Sequence, residues 1–297
     1  MFTNHHVYRQ CALAILGALL IFGATRSARA QLGLGLAPMR VELRMAAGQQ
    51  YSGSLKLSSE AEGKVRVRAE MLDFNIDART TPQFERELPQ EASYSCKKWL
   101  SLNPMEIELE KRGALMVRYT LRLPADVPEG SYNCAAGFST SPAAEQVMGM
   151  GMRMAVRVVA AFYVVVGSPP IRGKLKEIKL EPLPPGKESE EGGWQAVVVL
   201  ENSGLMFYRP SGKLEVLDAE GKTVETADLP SFPVLRQRDQ RFLFPLKTHL
   251  EEGHYKLRAR IDIGTGEIQE GSLEVTAEST PETPQVEPPR VAQHPQQ

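Results

Sequence analysis

Residues 148–158 read MGMGMRMAVRV, a stretch in which every second side chain is large and apolar. The six apolar side chains are those of Met148, Met150, Met152, Met154, Val156 and Val158. The residues between them are glycine, arginine or alanine. A period of two places all six apolar side chains on one face of an extended strand. The stretch therefore predicts a β-strand that either lines the core of its own domain or offers its side chains to the groove of a partner.

The apolar sequence continues without a breaker as far as Val166, where Gly167-Ser168-Pro169-Pro170 ends it. Residues 158–166 are apolar on both faces, which is typical of a strand covered on both sides. One strand over residues 148–166 would be several times the usual length, so we expect it to bend or to pass between two packing environments. We predict a domain boundary at its end.

The rest of the chain contains further short alternating stretches, separated by turns rich in glycine and proline. They occur before the predicted boundary, for example at 65–71 and 115–123, and after it, for example at 194–200. No stretch has the period of a convincing amphipathic helix. This pattern predicts an all-β protein with two immunoglobulin-like β-sandwich domains in tandem, over residues 31–168 and 171–277. Residues 278–297 are rich in proline and nearly free of apolar side chains, which predicts a disordered C-terminal tail.

The first thirty residues have the pattern of an export signal. Arg9 precedes the apolar run 11–23, and Ala28-Arg29-Ala30 fits a cleavage site that requires small residues. An uncleaved anchor is the alternative, but the run is shorter than the roughly 20 residues that span a bilayer. We therefore expect residues 1–30 to be a cleaved signal peptide, and the mature chain to be periplasmic without a transmembrane segment.

Charge and cysteine content further limit the class of protein. Residues 1–30 hold three arginines and no acidic residue, so the 35 basic and 36 acidic side chains become 32 and 36, a net charge of −4. That charge argues against nucleic acid as the main partner. Cys96 and Cys134 remain after Cys11 is removed with the signal. In an oxidising compartment, a disulfide between them is the expected state.

Residues with the chemistry of catalysis or metal binding are scarce in the mature chain. Its histidines are His249, His254 and His294, of which the last lies in the predicted tail. The sequence contains no Gly-x-Ser-x-Gly elbow and no glycine-rich phosphate loop before a helix. We therefore expect a protein that is not an enzyme and that uses no cofactor and no metal.

Several stretches of the first domain resemble the periplasmic pilus-assembly chaperone family of the chaperone–usher pathway, whose members have two immunoglobulin-like domains. The resemblance is carried by the order and spacing of a few motifs and by the long strand before the predicted hinge. The motifs are APMRVEL at 37–43, KWLSLNP at 98–104, MVR at 116–118 and LPADVPEGSY at 123–132. Together they indicate a divergent member of that family.

The resemblance implies a chaperone that lends its long strand to an incomplete pilin-like or other envelope subunit, a known case of β-strand addition. Met148, Met150, Met152, Met154, Val156 and Val158 would be the donor-strand residues. The family also holds the subunit's terminal carboxylate with two basic residues, and here Arg40 matches the first. The second has no match, and Arg157 is the nearest basic side chain. Whether an outer-membrane usher takes part stays open.

Two alternatives remain at the level of sequence. The methionine row could belong to the domain's own core, and Arg40 could be an ordinary surface arginine. In that case the protein would be a structural or adhesive immunoglobulin-like module that binds another envelope protein or a glycan without exchanging strands.

Overall fold

The structure, a computed structural model, describes residues 33–77, 80–140, 155–183 and 193–277. Within these ranges the chain forms four β-sheets and no α-helix. The sheets form two sandwich-like bodies: the first sandwich contains the strands up to Val166, and the second contains the strands from Gly173 onward. The all-β class predicted from the sequence is confirmed. The predicted signal peptide and C-terminal tail lie outside the described residues.

The first sandwich is built from a four-stranded sheet in the order β1-β3-β8-β6 and a six-stranded sheet in the order β2-β10-β9-β4-β5, with β7 also paired to β4. Its strands are β1 (Leu34–Ala37), β2 (Arg40–Met45), β3 (Gln50–Ser59), β4 (Val65–Ile76), β5 (Pro82–Glu85), β6 (Leu100–Asn103), β7 (Glu106–Leu109), β8 (Ala114–Arg122), β9 (Gly130–Thr140) and β10 (Arg157–Val166).

Alternation of side chains decides which face of each strand enters the core of the first sandwich. In β8, Val117, Tyr119 and Leu121 are buried, whereas Met116 and Arg118 are exposed. A strand directs successive side chains to opposite faces, so this pattern fixes the inner face of the four-stranded sheet. The buried residues of both sheets form one continuous cluster between them.

The second sandwich consists of a three-stranded sheet in the order β11-β12-β15 and a four-stranded sheet in the order β14-β13-β16-β17. Its strands are β11 (Gly173–Leu183), β12 (Gly193–Asn202), β13 (Ser211–Leu217), β14 (Thr223–Asp228), β15 (Arg238–Pro245), β16 (Gly253–Asp262) and β17 (Ile268–Ala277). Strand β15 was not predicted from the sequence, although its buried Phe242 and Phe244 alternate with less buried neighbours.

Strand β10 is shorter in the described residues than the strand expected over 148–166. It begins at Arg157, and Ala155 and Val156 precede it outside regular structure. It ends at Val166 as predicted, and Gly167 follows with φ +73°, a backbone angle that glycine adopts without the steric cost of a Cβ. β10 pairs antiparallel with β9 and parallel with β2, so it lies inside the six-stranded sheet for most of its length.

The loop before β6 is tied to β9 by the disulfide that the sequence analysis expected. Cys96 lies between two short 3₁₀ helices, Pro89–Tyr94 and Lys97–Trp99, and it is bonded to Cys134 of β9. Both cysteines are completely buried. Cys134 stands opposite Phe162 of β10. The bond therefore holds the loop against the strand that neighbours β10.

A buried carboxylate fastens the same loop to β4. Asp73 accepts hydrogen bonds from the Ser95 hydroxyl at 2.6 Å, the Lys97 ammonium at 2.9 Å and the Leu88 amide at 3.0 Å. Burial raises the pKa of the Asp73 carboxyl, but these hydrogen bonds outweigh burial and hold the pKa below its ordinary value. The ionised carboxylate therefore stabilises the folded loop.

Replacement of Asp73 by asparagine is expected to lower the free energy of unfolding by about 2 kcal/mol at neutral pH, because hydrogen bonds to a charged group are lost. The pKa is lower in the folded state than in the unfolded state. The contribution is therefore complete above the ordinary aspartate range and disappears as the pH falls through the folded-state pKa.

Urea unfolding of both proteins from pH 7 down to pH 2 measures this difference, which should shrink in acid. Asp126→Asn, a change at an exposed aspartate, is the matched control. A difference between Asp73→Asn and the unmodified protein that stays constant over this pH range would contradict the assignment.

Candidate functional site

Strand β10 has an open hydrogen-bonding edge at its N-terminal end. Its pairing with β9 covers Arg157 to Val166, but its pairing with β2 begins only at Ala161, opposite Arg40. The first bond to that side runs from the Ala161 amide to the Met39 carbonyl at 2.9 Å. Over residues 157–160, no strand of the described chain is paired with β10 on the β2 side.

The direction of the backbone groups follows from the same bond. Amides two residues apart on a strand point to the same side, so those of Arg157 and Val159 point to the open edge, as the Ala161 amide points to β2. The even-numbered residues bond to β9, as the Thr140 amide does to the Val156 carbonyl at 2.9 Å. The open edge therefore offers the main-chain groups of Arg157 and Val159.

The side chains of β10 divide between two environments. Those of Ala160, Phe162, Val164 and Val166 are buried in the core of the first sandwich, and Val158 packs against that core. The opposite face carries Tyr163 and Val165, which are buried in a cluster with Phe207 and Leu235 of the second sandwich, and Val159 and Ala161, which pack against it. One face of β10 thus serves its own sandwich and the other serves the contact between the two.

Only two of the predicted donor-strand residues, Val156 and Val158, are among the residues that the structure describes. Met148, Met150, Met152 and Met154 lie outside the described residues, so their exposure stays a prediction. Val156 precedes β10 and is half-buried. Val158 is half-buried against the core of the first sandwich and also borders the cleft described next.

A cleft of about 680 Å³ lies between the two sandwiches beside the open edge. Its walls combine apolar side chains with three arginines. The first sandwich contributes Met39, Arg40, Phe74, Pro82, Gln83, Phe84, Glu85, Arg157, Val158, Val159, Ala161 and Tyr163, and the second contributes Arg209, Ser231, Phe232 and Pro233. This composition suits a ligand that is apolar and carries negative charge.

The two arginines predicted as a carboxylate anchor both line the cleft, but they contact different acidic residues. Arg40 projects from the solvent face of β2, and its Nε lies 3.5 Å from Glu42 Oε1. Arg157 donates from Nη1 to the Phe84 carbonyl at 3.2 Å, and its Nη2 lies 3.4 Å from Glu70 Oε1. The structure therefore does not bring them together on one carboxylate.

Arg209 is a cleft residue that the sequence analysis missed. Its Nε and Nη2 donate to Glu42 Oε1 at 3.1 and 2.8 Å, and its Nη1 donates to the Ser231 carbonyl at 3.3 Å. Its guanidinium lies 5.1 Å from the centre of the Tyr163 ring. In the sequence, Arg209 precedes Pro210 and Gly212, residues typical of a turn, and nothing local links it to a residue of the first sandwich.

Tyr163 forms part of the floor of the cleft between Arg209 and β2. Burial raises the pKa of the Tyr163 phenol, and the neighbouring Arg209 guanidinium partly opposes that rise. The phenol is therefore neutral at physiological pH. The Tyr163 ring presents its face to the Arg209 guanidinium. Its uncharged oxygen does not neutralise the positive charge of the arginines.

A second set of contacts holds the two sandwiches together. Ser131 of β9 donates its amide to the Leu205 carbonyl at 2.8 Å, and its hydroxyl accepts the Phe207 amide at 3.0 Å. The buried Arg236 donates to the Ser131 carbonyl at 3.2 Å and stacks 4.4 Å from the centre of the Tyr94 ring. These contacts therefore join β9 of the first sandwich directly to the second sandwich.

Within the described part of the chain, no group of three or more histidine, cysteine, aspartate or glutamate side chains could hold a metal ion. Among the same residues, no helix has the length and apolar character needed to cross a membrane.

Comparison with known proteins gave structural matches only. No protein-family model matches the chain, and no curated protein sequence does. The class 5 fimbriae chaperone CfaA matches with a TM-score of 0.42 and 9% identity, over 82% of this chain and 98% of that one.

Two further matches are chaperones solved with a subunit. The SafB chaperone, in complex with the Salmonella enterica SafA pilin, matches with a TM-score of 0.41 and 13% identity, over 83% of this chain and 97% of that one. CsuC of Acinetobacter baumannii, described as a complex with the tip subunit CsuE, gives 0.39 and 12%, over 82% and 97%. These three matched structures are chaperones of fimbriae or pili, and at these identities the likeness concerns the fold alone.

Proposed function

We propose that this protein is a periplasmic chaperone-like protein that binds immature fimbrial or other envelope subunits by β-strand addition at β10. The single observation that carries the proposal is the open edge of β10 over residues 157–160, beside a cleft between the two sandwiches. The predicted export signal would place the binding in the periplasm.

The edge is suited to a partner strand because its main-chain groups already have a fixed direction. β9 holds the other side of β10 along its whole length, so the open amides of Arg157 and Val159 are ordered before any partner arrives. In strand addition, main-chain hydrogen bonds supply affinity and alternate side chains supply specificity. Ordering the edge in advance lowers the entropy cost of binding.

The surroundings of the edge limit unwanted pairing. Unpaired edges promote aggregation, and charged side chains on an edge are a common protection. Arg157 is exposed at the start of β10, and its side chain is held by Glu70 and the Phe84 carbonyl. Positive charge at the edge favours a partner with negative charge over a second copy of the same edge.

The decisive substitution is Val159→Pro, with Val159→Ala as its matched control. Proline removes the amide that points to the open edge but leaves the bonds to β9, which the even-numbered residues make. Alanine keeps the amide and removes most of the side chain. We expect Val159→Pro to weaken partner binding at least about tenfold more than Val159→Ala does, because the partner loses a main-chain hydrogen bond.

The measurement is affinity capture from an envelope extract, followed by identification of the bound proteins and by binding assays with the purified partner. The proposal is supported if the alanine variant captures a partner and the proline variant does not, and if the sequence of that partner ends in an alternating apolar strand. Equal capture by both variants would contradict it and favour a module that binds without strand exchange. Thermal unfolding of both variants verifies that each is folded.

A further inference from the structure

The outer face of the sheet β1-β3-β8-β6 differs in charge from the rest of the first sandwich. Side chains alternate along each strand, so the residues of β8 that lie between the buried Val117, Tyr119 and Leu121 point outward. We call the outward side chains of this sheet the basic face. Its charged members are Lys56, Arg118 and Arg122, and along these described strands none of its residues is acidic.

The cations of the basic face have no acidic partner in the described part of the chain. Arg122 donates from Nε to the neutral side-chain oxygen of Gln50 at 3.0 Å. Arg118 stands opposite Ser54, and Lys56 stands opposite Met116. The positive charge of this face is therefore not cancelled by the strands that carry it.

The corresponding face of the second sandwich is built differently. On the outer side of its four-stranded sheet, three cations each lie beside a carboxylate that neutralises them. The pairs are Lys213 with Asp228 at 3.8 Å, Arg258 with Glu215 at 2.9 Å and Arg260 with Glu270 at 3.3 Å. Charge that is paired in this way is weakly felt by an external anion, whereas the charge of the basic face stays available to one.

Met116 lies among the cations of the basic face, with its side chain 57% exposed. Lys56 is directly opposite it on β3, and Arg118 is its next neighbour on the same face of β8, about 7 Å along the strand. The residues around them include Ser52, Ser54 and Thr120, whose side chains are small. A flat face that combines cations with a protruding apolar side chain suits the boundary between lipid headgroups and acyl chains.

We infer that the basic face binds the surface of a membrane that contains anionic lipids. Lys56, Arg118 and Arg122 would pair with phosphate headgroups, and Met116 would enter the apolar boundary beneath them. The three charges lie on paired strands, so a plane of headgroups can contact all of them at once. The exported chain has a net charge of −4, with 32 basic and 36 acidic side chains, so an anionic surface would attract it through this face and repel its acidic parts.

Binding at the basic face leaves the cleft free. The basic face belongs to one layer of the first sandwich, whereas β10 and β2 belong to the other, and the outer faces of two packed sheets point in opposite directions. Val159 and Tyr163, which line the cleft, lie on the outer face of that other layer. The inference therefore goes beyond the proposed function and does not rest on it.

The test is co-sedimentation of the exported chain, without its predicted signal peptide, with vesicles of phosphatidylglycerol and phosphatidylcholine in equal amounts. We expect binding at low ionic strength, no binding to pure phosphatidylcholine, and loss of binding in about 0.5 M salt, which screens the charges. Lys56→Gln, Arg118→Gln and Arg122→Gln together should weaken binding about 100-fold, because each basic residue near an anionic surface contributes roughly a factor of five.

The matched control combines substitutions that remove the same charge from paired positions, namely Lys213→Gln, Arg258→Gln and Arg260→Gln. This variant should bind the vesicles as the unmodified protein does. Met116→Ala should weaken binding about fivefold, because an apolar contact with the lipid is lost. Thermal unfolding verifies that each variant is folded.

Absence of binding to the anionic vesicles, equal binding to neutral vesicles, or equal losses in the two triple variants would overturn the inference. Soluble dextran sulfate tests for an anionic polymer as the ligand. Binding of dextran sulfate as tight as that of the vesicles, with no effect of Met116→Ala on either, would replace the membrane by such a polymer and overturn the inference. Val159→Pro should bind the vesicles as the unmodified protein does, so failure of strand addition and failure of membrane binding are distinguishable.

Discussion

Phe162→Ala is expected to lower the free energy of unfolding of the first sandwich by about 4 kcal/mol. Phe162 is completely buried in the centre of β10 and contacts Tyr119 of the facing sheet edge-to-face, with 5.0 Å between ring centres. Truncation removes the transfer free energy of the ring and leaves a cavity that the surrounding strands fill only partly. This residue therefore has a larger expected effect than any polar contact of the cleft.

The two tryptophans allow this loss to be assigned to one sandwich. Trp99 packs against the first core, and Trp194 packs against the second. Urea unfolding, followed by Trp99 fluorescence in a Trp194→Phe background, reports on the first sandwich. Met116→Ala, a change at a side chain that is 57% exposed on β8, should have little effect. Equal destabilisation by both substitutions would show that Phe162 does not belong to a tightly packed core.

Removal of the disulfide by Cys96→Ala and Cys134→Ala together is expected to cost about 3–4 kcal/mol. The bond closes a loop between residues 38 positions apart, and its loss restores conformational freedom to the unfolded chain. Both sulfur atoms lie among buried residues, so the effect should be confined to the first sandwich. In a compartment that favours disulfides, this bond supports the strand β9 against which β10 is held.

Unfolding of the Trp194→Phe protein, which reports through Trp99, and of the Trp99→Phe protein, which reports through Trp194, each with and without a thiol reductant, provides the measurement for the disulfide. Reduction should lower the Trp99 transition by the same amount as the double substitution does. The Trp194 transition of the second sandwich serves as an internal control and should not move. A Trp99 transition that is the same in the oxidised and reduced protein would contradict a stabilising role for the bond.

The sequence predicted the class of fold because alternation of side chains is a local property. The buried and exposed residues of β8 follow the pattern read at 115–123, and β10 ends where Gly167 was expected to end it. The less regular parts were not predicted. The two 3₁₀ helices around Cys96 depend on contacts to Asp73 and Cys134, which are distant in the sequence.

The same pattern could not decide which neighbour covers each face of β10. Val158, Ala160 and Phe162 continue the alternating row of residues 148–158, and here they pack against or within the core of the first sandwich. The opposite face, with Val159 and Tyr163, packs toward the second sandwich. A period of two defines two faces, but it carries no information on what lies against either.

The sequence by itself determined the all-β class and the pairing of Cys96 with Cys134. Only the tertiary structure decided that, within the described part of the chain, no strand pairs with the outer edge of β10 over residues 157–160, because β2 begins its pairing opposite Ala161. Only the tertiary structure placed Arg209 on Glu42, 167 residues away along the chain. Strand patterns are fixed by neighbouring residues, whereas open edges and ion pairs depend on which distant segments the packed core brings together.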